Sequence, residues 1–129
     1  MKKLTVIGAG GQMGQWFTKY FAGSDYEVTG YDTESTNFGK NILVSESLVG
    51  AILKADYVVL CTPTRRTPEI IRLIAKEMKR GTYLIEISSE KSKVVLAIYK
   101  KLLKSVTNLM SLSLNSWSSG FNIVSKSIL

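Results

Sequence analysis

Val6-Ile7-Gly8-Ala9-Gly10-Gly11-Gln12-Met13-Gly14 joins an apolar, strand-like run over residues 4–7 to a helix-like run that begins near Met13. A strand, a glycine-dense turn and a helix N-terminus in this order make a site for a phosphate-bearing ligand. The turn needs glycine because its backbone must bend sharply and approach a pyrophosphate without Cβ atoms in the way. The helix that follows offers amides with no intrahelical acceptor and the positive end of its dipole. The spacing fits G-x-x-G-x-x-G through Gly8, Gly11 and Gly14, with Gly10 in addition. Alone such a pattern also describes a turn without a ligand; its specificity comes from the strand before it and the helix after it.

Outward from the turn, strand-like and helix-like stretches alternate. Met13, Trp16, Phe17, Tyr20 and Phe21 recur at helical spacing, and Gly23-Ser24-Asp25 ends that helix. Residues 27–31 read as a second strand with Asp32 just past its end, and residues 42–44 as a short third one. Ser47 is a suitable N-cap for a helix over 48–54. The continuous apolar run 57–61 suits a strand buried on both faces. Thr67-Pro68-Glu69 supplies a cap, a proline at the first position and an acid in the first turn of a helix reaching about residue 78, before Gly81. Residues 83–87 form the next strand and residues 91–103 another helix, with Val94, Ile98 and Leu102 on its apolar stripe. This alternation predicts an α/β fold, a Rossmann-type doubly wound sheet, mainly parallel, with helices on both faces.

The composition bounds the rest. A chain of 129 residues with 45% hydrophobic content is enough for one domain with a core. No apolar run approaches a membrane span, and the apolar stretch after Met1-Lys2-Lys3 is too short for a signal-peptide core, so no membrane association is expected. One cysteine suits a reducing compartment and a cytoplasmic location. The absence of histidine removes the commonest general base and the commonest zinc ligand, and no metal site is expected. Residues 1–90 carry eleven basic and ten acidic side chains, whereas residues 91–129 carry six lysines and no acid. A solvated lysine face on one helix explains this excess more simply than an anionic partner does. Apart from Tyr99 no aromatic residue interleaves with those lysines as a base-stacking platform would require, so no nucleic-acid role is expected. After Met110 the composition shifts: residues 111–129 hold seven serines, no acid and no clear period, with residues 121–124 as the one strand-like stretch.

Several polar positions belong near the glycine turn. Asp32 lies 18 residues beyond Gly14, where an acid accepts hydrogen bonds from an adenosine ribose and favours NAD over NADP. No arginine follows closely to hold a 2′-phosphate; Lys40 is the candidate cation that keeps NADP open. Cys61-Thr62-Pro63-Thr64 follows the fourth strand, where ligands of open α/β sheets bind. Cys61 reads as a small buried residue rather than a nucleophile. Arg65 and Arg66 either touch phosphate or carboxylate or are solvated. Glu86-Ile87-Ser88-Ser89-Glu90-Lys91 occupies the corresponding place after the fifth strand. Its polar side chains either face the ligand or cap a helix.

Together these residues resemble the NAD(P)-binding domain of prephenate dehydrogenase. The resemblance rests on Gly8-Ala9-Gly10-Gly11-Gln12-Met13-Gly14, the bulky pair Trp16-Phe17, Pro63 after the fourth strand, and the acid-x-Ser-Ser-x-Lys segment Glu86-Ile87-Ser88-Ser89-Glu90-Lys91. It covers residues 1–110. It implies oxidative decarboxylation of prephenate to 4-hydroxyphenylpyruvate with hydride transfer to a nicotinamide, a step of tyrosine biosynthesis. Carried over, Gly8, Gly10, Gly11, Gln12, Met13, Gly14, Asp32, Thr62 and Pro63 bind the cofactor, and Ser89 matches the serine beside substrate and catalytic histidine. The sequence departs from the family's pattern at the segment that follows the family's sixth strand. Met110-Ser111-Leu112-Ser113-Leu114-Asn115 stands where the family has a histidine-proline segment. The family's helical domain, which dimerises and closes the substrate site, has no counterpart in these 129 residues. Full-length relatives are then expected to be homodimers and this chain a monomer, binding cofactor with little or no catalysis. A frame shift near residue 110 would produce a correct domain followed by an unrelated tail, 111–129; translation of the other two frames tests it. A related β-hydroxyacid dehydrogenase would share the glycine turn, though the Ser-Ser-Glu-Lys segment argues for the prephenate group. A non-catalytic NAD(P)-binding module would share everything but the chemistry.

Overall fold

The computed structural model describes residues 1–34, 37–87, 107–114 and 123–127. The described elements are β1 (Lys2–Ile7), α1 (Gln12–Ala22), β2 (Tyr26–Tyr31), β3 (Ile42–Val44), α2 (Leu48–Ile52), β4 (Tyr57–Leu60), α3 (Thr67–Ile74), β5 (Thr82–Ile87), β6 (Thr107–Leu114) and β7 (Ile123–Ser127). The strands form one sheet in the order β3-β2-β1-β4-β5-β6-β7. Strands β1 to β6 pair in parallel, and β7 closes the far edge antiparallel to β6. The sheet grows from β1 in one direction to β3 and in the other from β4. The gap between the ends of β1 and β4 is therefore the switch point at which open α/β sheets bind ligands.

Residue alternation distributes the core over both faces of the sheet. Leu4 and Val6 of β1 and Val59 of β4 pack with Phe17 of α1 on one face. Ile7 of β1 and Val58 and Leu60 of β4 pack with Ala51 and Ile52 of α2 and Ile70, Ile71 and Ile74 of α3 on the other. Val58, Val59 and Leu60 of the apolar run are buried, as a strand covered on both sides requires. Two buried threonines do polar work at element ends. Thr5 donates to the Ala51 carbonyl at the close of α2, and Thr82 donates to the carbonyls of Ala55 and Lys79. Among the described residues no helix is long and apolar enough to cross a membrane.

The local signals held where they were short-range. Ser47 caps α2 by accepting the Gly50 amide at 2.9 Å. Three readings are corrected. Helix α3 stops at Ile74 rather than near Met78. Ile74 still accepts the amides of Glu77 and Met78, but the chain continues as turns that bury Met78 on the core. Thr67 is not the cap of α3; Arg66 holds that position, because the Thr67 hydroxyl is turned back to the Pro63 carbonyl and to Thr62. Residues 111–129, read as lacking any confident element, contribute the second half of β6 and all of β7. Ile123 and Val124 of the strand-like stretch at 121–124 belong to β7, Ile123–Ser127. Pairing with β5 organises β6, a long-range effect that composition does not carry. The helix expected over 91–103 lies outside the described residues.

Asp56, at the start of β4, ties three elements. Its carboxylate accepts the Lys3 amide of β1 at 2.8 Å and pairs with Lys79 at 2.6 Å, and its carbonyl accepts the Tyr83 amide of β5. The Lys3 amide first, and the Lys79 ammonium second, hold its carboxyl below the ordinary carboxylate value. A lowered folded-state value gives stability that is present above the unfolded value, about 3.9, and lost as pH falls through the folded one. Asp56→Asn is expected to lower stability at neutral pH by less than about 1 kcal/mol, since the pair is partly solvated. The difference from the parent chain should close below about pH 4 in urea unfolding series; a difference independent of pH would contradict this account.

Candidate functional site

The glycine turn leaves β1 at Gly8, whose φ of +82° is a left-handed conformation that glycine adopts without strain. A Cβ there would also stand 2.6 Å from the Cys61 carbonyl oxygen, so the turn lies directly against the loop after β4. The Gly8 and Ala9 amides both donate to the Tyr31 carbonyl at the end of β2, at 2.9 and 3.1 Å. Gly11 is the N-cap of α1 and carries no capping side chain; the first turn of the helix holds no acid. The first turn of α1 thus supplies no acid of its own to offset the leading amides and the positive end of the dipole. Gln15 reaches back to the Gly10 carbonyl at 2.8 Å and braces the turn.

The glycines differ in purpose. At Gly14 a Cβ would collide with the Gly8 carbonyl oxygen and stand 2.7 Å from the Ala9 Cα, so glycine there lets α1 pack onto the turn. At Gly11 a Cβ would meet only the Gly8 oxygen at 3.6 Å, an ordinary contact. Among the described residues nothing demands glycine at position 11, which fits an open approach for a ligand.

Asp32 joins the turn to the β2–β3 loop. Its Oδ2 accepts the Gly10 amide at 2.8 Å and its Oδ1 the Glu34 amide at 2.9 Å. A carboxylate has about four lone-pair sites, so each oxygen keeps acceptor capacity for a further donor. The loop is anchored by Phe38, 4% exposed, whose ring packs against Gly30 of β2 so closely that a Cβ on Gly30 would stand 2.8 Å from its Cε2.

These elements border a cleft of about 610 Å³ beyond the carboxyl ends of β1, β2 and β4. Gly8, Gly10, Gly11, Asp32, Thr62 and Pro63 line it together. Gln12, Met13 and Gly14 lie outside its lining, in the first turn of α1, where Gln12 is exposed and Met13 packs on the core. Ser89 lies outside the described residues. Cys61 lines the cleft, and burial of its thiol pushes the group up to about 12, which makes it inert at neutral pH. Arg66 lines the cleft and Arg65 does not, nor does Lys40. Glu86, expected at the crevice, is 1% exposed within β5, between Leu60 of β4 and Ser111 of β6 in register, and does not line it.

Sequence reasoning missed the far wall. Leu48 of α2 and Glu69, Ile70 and Leu73 of α3 complete the cleft, with Tyr31, Thr33 and Glu34 on the near side. The Thr67-Pro68-Glu69 signal located the start of α3, but no local pattern shows which turn of that helix faces the end of β2. The volume suits a ligand pocket, generally about 300–1,000 Å³. A pyrophosphate-bearing dinucleotide fits the residues present: an open glycine at 11, a helix start with no acid in its first turn and a fixed carboxylate with spare acceptors.

Comparison with known proteins agrees with this geometry. The family described as prephenate dehydrogenase, nucleotide-binding domain, matches residues 19–110. That match begins within α1, downstream of the glycine turn. A probable arogenate/prephenate dehydrogenase of Methanocaldococcus jannaschii is 28% identical over 96 residues, covering 68% of this chain and 21% of the relative. The chain thus spans about a fifth of the length of that curated relative. The crystal structure of prephenate dehydrogenase from A. aeolicus, in complex with hydroxyphenyl propionate and NAD+, superposes with a TM-score of 0.68 at 20% identity, over 86% of this chain and 41% of that one. The 3-hydroxyisobutyrate dehydrogenase of Mycobacterium tuberculosis gives 0.76 at 17% identity, over 90% and 41%. At those identities the structural likenesses establish a Rossmann-type α/β fold. The family match, which takes in well over half of the 129 residues, establishes more: the chain belongs to the nucleotide-binding domain family of prephenate dehydrogenase.

Proposed function

We propose that this chain binds NAD through its adenosine and pyrophosphate and serves as the nucleotide-binding domain of a prephenate dehydrogenase-type oxidoreductase. The observation that carries the reading is the Asp32 carboxylate, fixed at the mouth of the cleft by the Gly10 and Glu34 amides. Held there, it can accept both ribose hydroxyls. The glycine turn gives the pyrophosphate close access, and the start of α1 offsets its charge. Thr62 and Pro63 border the same cleft from the end of β4. When bound, the nicotinamide supplies a hydride acceptor; the protein's part is to bind and orient the dinucleotide at the switch point.

The names of the matched family and of the Methanocaldococcus relative support prephenate, in the pathway to tyrosine, as the substrate of the whole enzyme. Ser89 is assigned to the substrate side on its match to the family serine. Residues 1–110 form the binding domain in this reading. A helical domain from elsewhere in a longer enzyme would supply dimerisation and the substrate pocket, while this chain alone is monomeric, cytoplasmic and without nucleic-acid or membrane partners. A second reading, a dinucleotide-binding module without chemistry, is favoured by the complete absence of histidine. Prephenate-dependent reduction of NAD+ by the purified chain would exclude it.

Calorimetric titration with NAD+ tests the binding itself. Asp32→Ala, which removes two charge-assisted hydrogen bonds to the ribose, is expected to weaken NAD+ by at least about tenfold. Asp32→Asn, which keeps the turn's acceptors in part, should fall between that variant and the parent. Equal affinity in all three chains would remove Asp32 from the site.

A further inference from the structure

We infer that Glu34 is a specificity-determining residue of the cleft: its carboxylate, two residues along the same lining from Asp32, rejects a phosphate on the adenosine 2′-hydroxyl and so selects the dinucleotide that lacks it. The inference rests on the reading that this cleft takes the adenosine end of a dinucleotide.

The backbone brings the two acids together. Asp32 Oδ1 accepts the Glu34 amide at 2.9 Å, so the chain turns back on Asp32 within two residues, and both residues line the cleft. Asp32 alone does not settle the choice of cofactor. It discriminates by accepting hydrogen bonds from hydroxyls, which a phosphate group in place of the 2′-hydroxyl cannot donate. A second carboxylate adds direct repulsion of the phosphate charge. Among the described residues that line the cleft, Asp32, Glu34 and Glu69 are acidic and Arg66 alone is basic. The acidic lining runs against the chain's formal net charge of +7. No second cation of the described lining joins Arg66 to compensate a 2′-phosphate, and Lys40, the candidate in the sequence, is not part of that lining.

The Glu34 side chain is exposed and engages in no hydrogen bond or ion pair among the described residues, while its amide does the structural work at Asp32. The carboxylate is therefore dispensable to the turn, and a side-chain exchange isolates its electrostatic effect.

The test compares NAD+ and NADP+ affinities for the parent chain, Glu34→Gln and Glu34→Asp by calorimetry at low and high salt. Removing the charge in Glu34→Gln should raise the affinity for NADP+ relative to NAD+ by about three- to tenfold, the range for one partly screened like-charge contact. The gain should shrink at high salt, and Glu34→Asp should restore the parent preference. A ratio that stays within about twofold in Glu34→Gln overturns the inference and leaves NAD binding standing. Failure of the parent chain to bind NAD+ overturns the proposed function and the inference together, so the two failures are distinguishable.

Discussion

Gly14→Ala is expected to destabilise the domain by about 3 kcal/mol or more, at the upper end of what overpacking costs, and to abolish dinucleotide binding. The added methyl would be driven into the Gly8 carbonyl oxygen and to within 2.7 Å of the Ala9 Cα, both of them backbone. Backbone atoms cannot rotate aside as a flexible side chain does. Relief requires α1 to lift from the turn, which breaks the contact of Phe17 with the core formed by Leu4, Val6 and Val59. It also shifts the Gly10 amide away from Asp32. Gly11→Ala is the matching control. Its methyl meets one oxygen at 3.6 Å, so the fold should lose at most about 1 kcal/mol, the usual difference at a helix N-cap, while the methyl obstructs the ligand's approach. Urea unfolding and NAD+ titration of both variants check the contrast. Equal stability of the two would show that the turn is looser than its geometry implies.

Phe38→Ala should cost about 3–5 kcal/mol, the loss typical of a buried aromatic side chain. Phe38 is 4% exposed and belongs to the core on the α1 face of the sheet, seated on Gly30 near the end of β2. It is the apolar anchor of the segment joining Asp32 to β3, and without it Asp32 and Glu34 lose the packing that holds their loop against the sheet. NAD+ affinity should therefore fall along with stability. Gly30→Ala approaches the same joint from below: its methyl would displace the ring and produce a smaller version of both effects. Equilibrium unfolding checks the first number, and a loss below about 1 kcal/mol would remove Phe38 from the core account.

The residues that were legible in advance share a short range. Residues 4–7 alternate and pack as a strand must, Ser47 caps the helix after it, and the acid placed after β2 stands where its distance from Gly14 put it. Pro63 borders the cleft because loops after parallel strands collect at one end of the sheet, a consequence of handedness alone. Glu86 shows the limit. Its place in an acid-x-Ser-Ser pattern suggested the crevice, but it lies one residue inside β5, and period-two alternation turns its side chain into the packed sheet with Thr82 and Leu84. Thr67 shows another: a cap signal was redirected by a carbonyl four residues earlier.

Local spacing and backbone sterics were enough for the order of elements from β1 to β5, the glycine turn and the acid beyond β2, because each follows from residues a few positions apart. Tertiary structure alone decided the rest of the site. It showed that Gly14 is required by packing and Gly11 is left open, since that difference depends on atoms of Gly8 and Ala9 in space. It fixed Asp32 through the Gly10 amide, a bond across 22 residues. It also set Glu34 near Asp32 and Glu69 on the opposing wall of one cleft. Charge repulsion and ligand fit act through distances across the fold, and no periodicity along the chain encodes those distances.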